Sequence, residues 1–163
     1  MATSVQIEFV RASQVSPEIQ KIIDQVDQPA FDGEAPEENT NEWASSDWMV
    51  LGRVDGEIVT QLGLLKREIR VGDVPVFVGG VGGVVTHPAW QRHGLSSALM
   101  RAAAEFMQTK LNVPFGLLVC GNKTQPFYAH LGWQTVADEL LFTENEKRQP
   151  LQTAVMILSL IHI

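Results

Sequence analysis

The chain has 163 residues, 45% of them hydrophobic and 19% charged, a length and balance that fit one globular domain over residues 1–163 and leave two domains cramped. With 12 Lys and Arg against 19 Asp and Glu the net charge is -7, which argues against nonspecific nucleic-acid binding and mildly favours cationic small molecules as partners. The single cysteine, Cys120, excludes an internal disulfide framework and a CxxC metal site; with no basic-then-apolar leader and no apolar run near the ~20 residues a bilayer demands, a soluble protein of the reducing cytoplasm, without membrane contact, is expected.

In chain order, the alternation of Val5 to Val10 predicts a half-buried strand. Ser16-Pro17-Glu18 then supplies a cap, a first-turn proline and an acid at the positive end of a helix dipole, and Ile19, Ile22, Ile23 and Val26 follow at helical spacing. Residues Asp32 to Asp47 are acidic and aperiodic, which predicts a loop with one helical turn near Trp43. WMVLGRV, Asp55-Gly56 and EIVTQLGLLKREIRV make the strongest hairpin signal in the chain, and Gly72-Asp73 adds a turn before VPVFVGGVGGVVT. Three antiparallel strands in succession follow from that pattern.

Beyond His87-Pro88, the residues Leu95, Ala98, Leu99, Ala102, Ala103 and Phe106 predict an amphipathic helix. The apolar run PFGLLVC fits a strand buried on both faces, so strand, helix and strand form a right-handed parallel crossover. TQPFYAHLGW holds a short helix capped by Thr124 and stopped by Gly132, and TAVMILSL closes the chain as a strand. A mixed sheet flanked by helices results.

The connection WQRHGLSS lies at a helix N-terminus, where unpaired backbone N–H groups and the helix dipole favour an anion. Gly94 permits a tight turn, Ser96 and Ser97 are small donors, and Arg92 and His93 add positive charge. A dinucleotide fingerprint is excluded because GVGGVV places Val85 where the last glycine belongs, and no nucleotide P-loop motif occurs. Taken alone, the loop is better explained by a helix cap that binds nothing.

Gln91-Arg92-His93-Gly94-Leu95-Ser96 resembles the Q/R-x-x-G-x-G/A pyrophosphate loop of the GCN5-related N-acetyltransferase superfamily, and PFYAHLGW resembles its second signature, a tyrosine followed by glycine and an aromatic residue. Order and spacing agree over essentially the whole chain, and the segment LGLLKREIRVGDV looks loosely like the aminoglycoside 2'-N-acetyltransferase branch. The resemblance implies an α/β (α+β) fold, with a mixed, mostly antiparallel sheet, a parallel βαβ unit binding acyl-CoA, and helices on both faces. It implies acetyl-CoA as cosubstrate and direct transfer, in a ternary complex, to a primary amine of a small molecule or peptide. The backbone of Val84, Val85 and Thr86 would pair with the pantetheine arm, and Gln91, Arg92, His93, Gly94, Leu95 and Ser96 would hold the pyrophosphate. Ser96 departs from the usual Gly or Ala.

By the same resemblance Tyr128, the chain's only tyrosine, would stand beside the thioester sulfur and protonate the departing thiolate as general acid. Many relatives carry a glutamate base on the strand before the loop, but VPVFVGGVGGVVT has no ionisable side chain. The role passes to His87, a carboxylate of the Asp32 to Asp47 loop, the C-terminal carboxylate of Ile163, or water. No spacing of His87, His93 and His130 suggests a metal, and Cys120 reads as a core residue. The rival readings are a non-catalytic acyl-CoA-binding sensor or scaffold and a longer-chain N-acyltransferase; a homodimer is compatible with each.

Overall fold

The structure, a computed structural model, describes residues 3–31, 45–137, 141–144, 147–150 and 153–161. Strand β1 (Gln6–Arg11) leads through one 3-10 turn into helix α1 (Pro17–Phe31). The Ser16 hydroxyl accepts the Ile19 N–H at 3.2 Å, as a cap should. Ile23 and Val26 are buried against the sheet, Ile19 packs beside them, and Ile22 stays 40% exposed, so the apolar stripe is narrower than its spacing suggests.

Strands β2 (Trp48–Val54), β3 (Glu57–Val71) and β4 (Val74–Thr86) form the expected antiparallel succession. Asp55 and Gly56 both have positive φ, 50° and 83°, the primed turn whose twist matches that of its flanking strands. Helix α2 (Leu95–Thr109), strand β5 (Phe115–Cys120), the short helix α3 (Gln125–His130), β6 (Gln134–Thr135), β7 (Leu141–Glu144), β8 (Lys147–Pro150) and β9 (Ala154–Ser159) complete the described elements. The main sheet runs β1-β2-β3-β4-β5-β9-β6, and β7 with β8 forms a separate hairpin. Only β4 and β5 are parallel neighbours, so the sheet is mixed and mostly antiparallel.

The two long helices cover opposite faces. On one, Ile23 and Val26 of α1 meet Leu51, Ile58 and Val85; on the other, Leu99, Met100, Ala103 and Met107 of α2 meet Val50, Leu62, Leu64, Val81 and Leu118. The buried face of α2 is rotated from the one its sequence suggests: Ala98 and Ala102 are half-buried, while Met100 and Met107 are fully buried. The glycines of β4 and β5 make room for this face, because a Cβ at Gly79 would occupy the space of Met107, and one at Gly116 would run into Trp133 and crowd the end of Met107. The expected two-sided burial of β5 is also partial, with only Gly116 and Leu118 buried.

The β6, β7 and β8 strands were not foreseen, since QT is two residues long and LFTE and KRQP lack an alternating pattern. The expected turn near Trp43 and most of the Asp32 to Asp47 loop lie outside the described residues.

Candidate acyl-CoA site

The parallel register between β4 and β5 runs from Val78 opposite Phe115 to Val81 opposite Leu118 and stops there. Yet β4 continues to Thr86 and β5 to Cys120. The cause lies on the other edge of β4. Gly82 faces Gly63 and Val85 faces Gln61, so two residues of β4 oppose one of β3, a bulge that bends β4 out of register. Gly83, within the bulge, has φ 60°, a conformation that costs a side-chain-bearing residue ~1–2 kcal/mol. A Cβ at Gly82 or Gly83 would meet nothing within 4 Å. The glycines of this strand therefore divide: Gly79 and Gly80 make room for Met107 and Leu65, while Gly82 and Gly83 border open space at the splay.

The end of β4 presents a free backbone edge toward the splay. The His87 N–H donates to Val59 O on β3 at 2.8 Å, so by strand alternation Thr86 turns its N–H and C=O the other way. One of those two groups is already used, because Gln91 Nε2 donates to Thr86 O at 3.2 Å. Gln91 thus ties the loop to the strand, and its side chain is not spare for a phosphate.

The loop itself is built as an anion cradle. Arg92 and Gly94 both have positive φ, 67° and 74°, and left-handed residues next to a helix start turn successive N–H groups into one concavity. Among the described residues the N–H groups of Arg92 to Ser97 donate to no protein acceptor. The His93 Nδ1 lies 3.0 Å from Trp90 O and 2.9 Å from Gln91 O; carbonyls only accept, so Nδ1 carries the proton and braces the loop. Leu95 is 2% exposed and packs with Val54 and Val59, which anchors the helix start and leaves only the backbone of Leu95 for a ligand. Arg92 is exposed at the mouth.

Ser96, the departure from the motif, has a specific partner. Its hydroxyl lies 2.5 Å from that of Thr86, which lies 2.8 Å from that of Thr60, whose hydroxyl donates to Val85 O at 3.0 Å. All three bonds exist together only if the protons run one way, from Ser96 to Thr86 to Thr60 to the carbonyl. The expectation that the Ser96 hydroxyl donates to a phosphate is therefore corrected: its proton points inward, and Ser96 can reach an anion only through its backbone N–H. Thr60, fully buried, was missed by sequence reasoning, since its pairing with Thr86 depends on a register shifted by the bulge.

Tyr128 stands on α3, which follows the end of β5, and its ring lies in the same core cluster as Val81, Leu99 and Leu118. It is 8% exposed, and its hydroxyl makes no hydrogen bond among the described residues. Burial, reinforced by the neighbouring Cys120, pushes the phenol up from 10.0 to about 12. Cys120 is half-buried and directs its S–H at Met156 Sδ, 3.7 Å away, in keeping with a core role.

Of the base candidates, His87 Nδ1 accepts the Ala89 N–H at 3.1 Å and so caps the turn Pro88–Trp90. A neutral ring then carries its proton on Nε2 and has no spare lone pair. Asp47 spends one carboxylate oxygen on the Lys66 N–H at 2.9 Å. The carboxylates of residues 32–44 and Ile163 lie outside the described residues. Among the described residues no three His, Cys, Asp or Glu side chains gather as metal ligands, and no helix is long and apolar enough to cross a membrane.

Splayed parallel strands beside an N–H cradle define a class, the acyl-CoA-dependent acyltransferases. Residues 11–136 match the sequence profile of the Acetyltransferase (GNAT) domain, and the chain belongs to that family. Solved structures show the same fold. Escherichia coli ElaA superposes with a TM-score of 0.68 at 17% identity, covering 96% of this chain and 100% of that one. An acyl-CoA N-acyltransferase from Pseudomonas aeruginosa gives 0.67 at 18%, covering 96% and 100%. A GCN5-related N-acetyltransferase from Kribbella flavida gives 0.60 at 20%, covering 80% of this chain and 34% of that one. No curated protein sequence matches the chain.

Proposed function

We propose that this protein is an N-acetyltransferase that passes the acetyl group of acetyl-CoA to a primary amine of a small molecule or peptide, directly and in a ternary complex. The observation that carries the reading is the convergence of the unpartnered N–H groups of Arg92 to Ser97 with the outward-facing Thr86 N–H at the end of β4. Those donors fit a diphosphate, and the strand edge fits an amide-bearing arm laid beside it as a strand would be.

Acetyl-CoA supplies a thioester carbon open to attack and a thiolate leaving group. What the chain supplies is position and a proton. Val84 and the Thr86 N–H hold the arm in the splay, whereas Val85, paired with Gln61 and with its carbonyl taken by Thr60, faces β3 and drops out of the expected role. Arg92 and the backbone of His93 to Ser96 hold the diphosphate, and Gln91 and His93 keep that loop in shape. With its pKa near 12, Tyr128 stays protonated throughout the physiological range. Against a thiol of pKa about 8.5, full transfer from the phenol is uphill by ~5 kcal/mol. The same dry surroundings raise the basicity of a thiolate, which narrows the gap. Tyr128 therefore acts first as a hydrogen-bond donor to developing negative charge and then as the acid that quenches it. The substrate ammonium loses its proton to water or to a carboxylate of residues 32–44, because the His87 lone pair is committed. A cationic acceptor suits the net charge of -7.

The test is acetyl-CoA consumption over a panel of polyamines, aminoglycosides and peptide N-termini, with Tyr128→Phe as control. Turnover on at least one amine, lowered ~100-fold or more in Tyr128→Phe with CoA binding retained, supports the reading. Binding without turnover on any amine marks a sensor instead. The open space at Gly82 and Gly83 makes competition by longer acyl-CoAs the accompanying measure of chain length.

A further inference from the structure

At the opposite end of α2 from the pyrophosphate loop, Arg11, Trp48, Lys66, Phe106, Lys110 and Leu111 line a cleft of about 420 Å³. Helix α2 has 15 residues, so the two places lie ~22 Å apart along its axis. Nothing in the acyl-transfer reading uses these six side chains.

The charges of the cleft run against the composition of the chain. All three ionisable residues lining it are basic, in a protein with 12 basic and 19 acidic side chains. None of them has an ion-pair partner among the described residues, where the salt bridge found joins Arg53 to Glu8. Asp47, next to Trp48, directs a carboxylate oxygen at the Lys66 backbone N–H and does not line the cleft. Three like charges around an apolar floor repel one another, and that repulsion is relieved by a counter-charge.

Two of the three cations are also held in place. The Arg11 guanidinium sits 4.6 Å from the Trp48 ring centroid, and the Lys66 ammonium 5.1 Å from that of Phe77. Below them Trp48 meets Phe106 edge-on at 5.5 Å, and Phe106 stacks on Phe9 at 4.5 Å. A helix C-terminus would normally repel an anion through its bare carbonyls. Here the Phe106 carbonyl is taken by the N–H groups of Lys110 and Leu111, and that of Met107 by Val113.

We propose that this cleft is a second ligand site, for a small organic anion with a dianionic head, such as a phosphate monoester, and a compact apolar body. The head bridges the guanidinium of Arg11 and the ammoniums of Lys66 and Lys110, and the body packs on Trp48, Phe106 and Leu111. The cleft has the size of a small-metabolite pocket.

Phenyl phosphate is the probe, titrated calorimetrically into the full chain alone and again with saturating CoA, beside inorganic phosphate. The expected result is one saturable site whose affinity is unchanged by CoA, exceeds that for inorganic phosphate, and falls roughly tenfold or more in the Lys66→Gln/Lys110→Gln double variant. Both lysines are exposed, so the melting temperature of the variant stays that of the parent and a lost signal is not unfolding. The proposal is overturned by absent saturation, by equal affinity in the double variant, by inorganic phosphate binding as tightly, or by displacement with CoA, which would put the anion in the pyrophosphate loop. Because the wild-type and variant titrations need no acyl-CoA, they stand whether or not the acetyltransferase reading holds.

Discussion

Replacing Ser96 by alanine removes the first donor of the chain that runs through Thr86 and Thr60 to Val85 O. Thr86 is 8% exposed and still donates to Thr60, so it loses one accepted bond and is not left with a stranded proton. The net loss is ~1 kcal/mol, which for a domain of 163 residues lowers the melting temperature by about 2–4 °C. Alanine at the second helical position carries no propensity penalty, so the effect reports on the bond. The same bond joins the helix start to the β4 edge, the two halves proposed to hold one CoA molecule. If both halves lose their fixed spacing, CoA affinity falls about fivefold. Thr60→Val is the harsher change: it strands the Thr86 proton in a buried site and costs ~1–3 kcal/mol. Thermal unfolding and calorimetric CoA titration of the two single variants and the double give the coupling. Because the bonds form one directed chain, the double variant should cost less than the sum of the singles. Full additivity, or a Ser96→Ala protein with unaltered melting and unaltered CoA affinity, refutes the chain.

Tyr128→Phe should remove a pH dependence as well as turnover. A folded-state pKa of about 12 against 10.0 unfolded means the native phenol keeps its proton while the unfolded one ionises. Its contribution is fully present below pH 10 and is lost between pH 10 and 12, up to ~3 kcal/mol. Denaturant titrations across that window should show a smaller alkaline loss in the phenylalanine variant; an identical slope would contradict the burial of the phenol. Gly83→Ala meets no steric obstacle but imposes φ 60° on alanine, so melting falls by a few degrees and CoA binding weakens as the bulge straightens. Gly79→Ala, by contrast, drives a Cβ into Met107 and should lower stability more than ligand affinity, by ~1–3 kcal/mol. Arg92→Gln should weaken CoA binding several-fold and flatten its salt dependence.

What the sequence disclosed best were features with local causes. Asp55-Gly56 and Gly72-Asp73 announced their hairpins, Ser16-Pro17 its helix, and Gly94 the turn into α2, because each depends on the backbone preferences of one or two residues. The apolar spacing from Leu95 onward placed residues 91–96 at a helix start, and the structure puts them there. Features that depend on register stayed hidden. The bulge at Gly83 and Val84 is visible only against its partner strand, and with it the Thr60–Thr86 pair and the inward turn of the Ser96 hydroxyl. The rotated face of α2 depends on glycines 28 and 9 residues away by chain number, at Gly79 and Gly116 relative to Met107, which tertiary packing alone brings together. His87 looked available as a base from sequence, but a local bond to Ala89 uses its lone pair.

The acetyltransferase reading requires that the backbone amides of the α2 start and of the β4 edge bind one CoA molecule between the splayed strands. Amide chemical shifts during a CoA titration test it most directly. Large saturating shifts should appear together at Arg92 to Ser97 and at Val84 to Thr86, while Arg11 and Lys66 stay unmoved. A titration that leaves both of those backbone stretches silent would contradict the account.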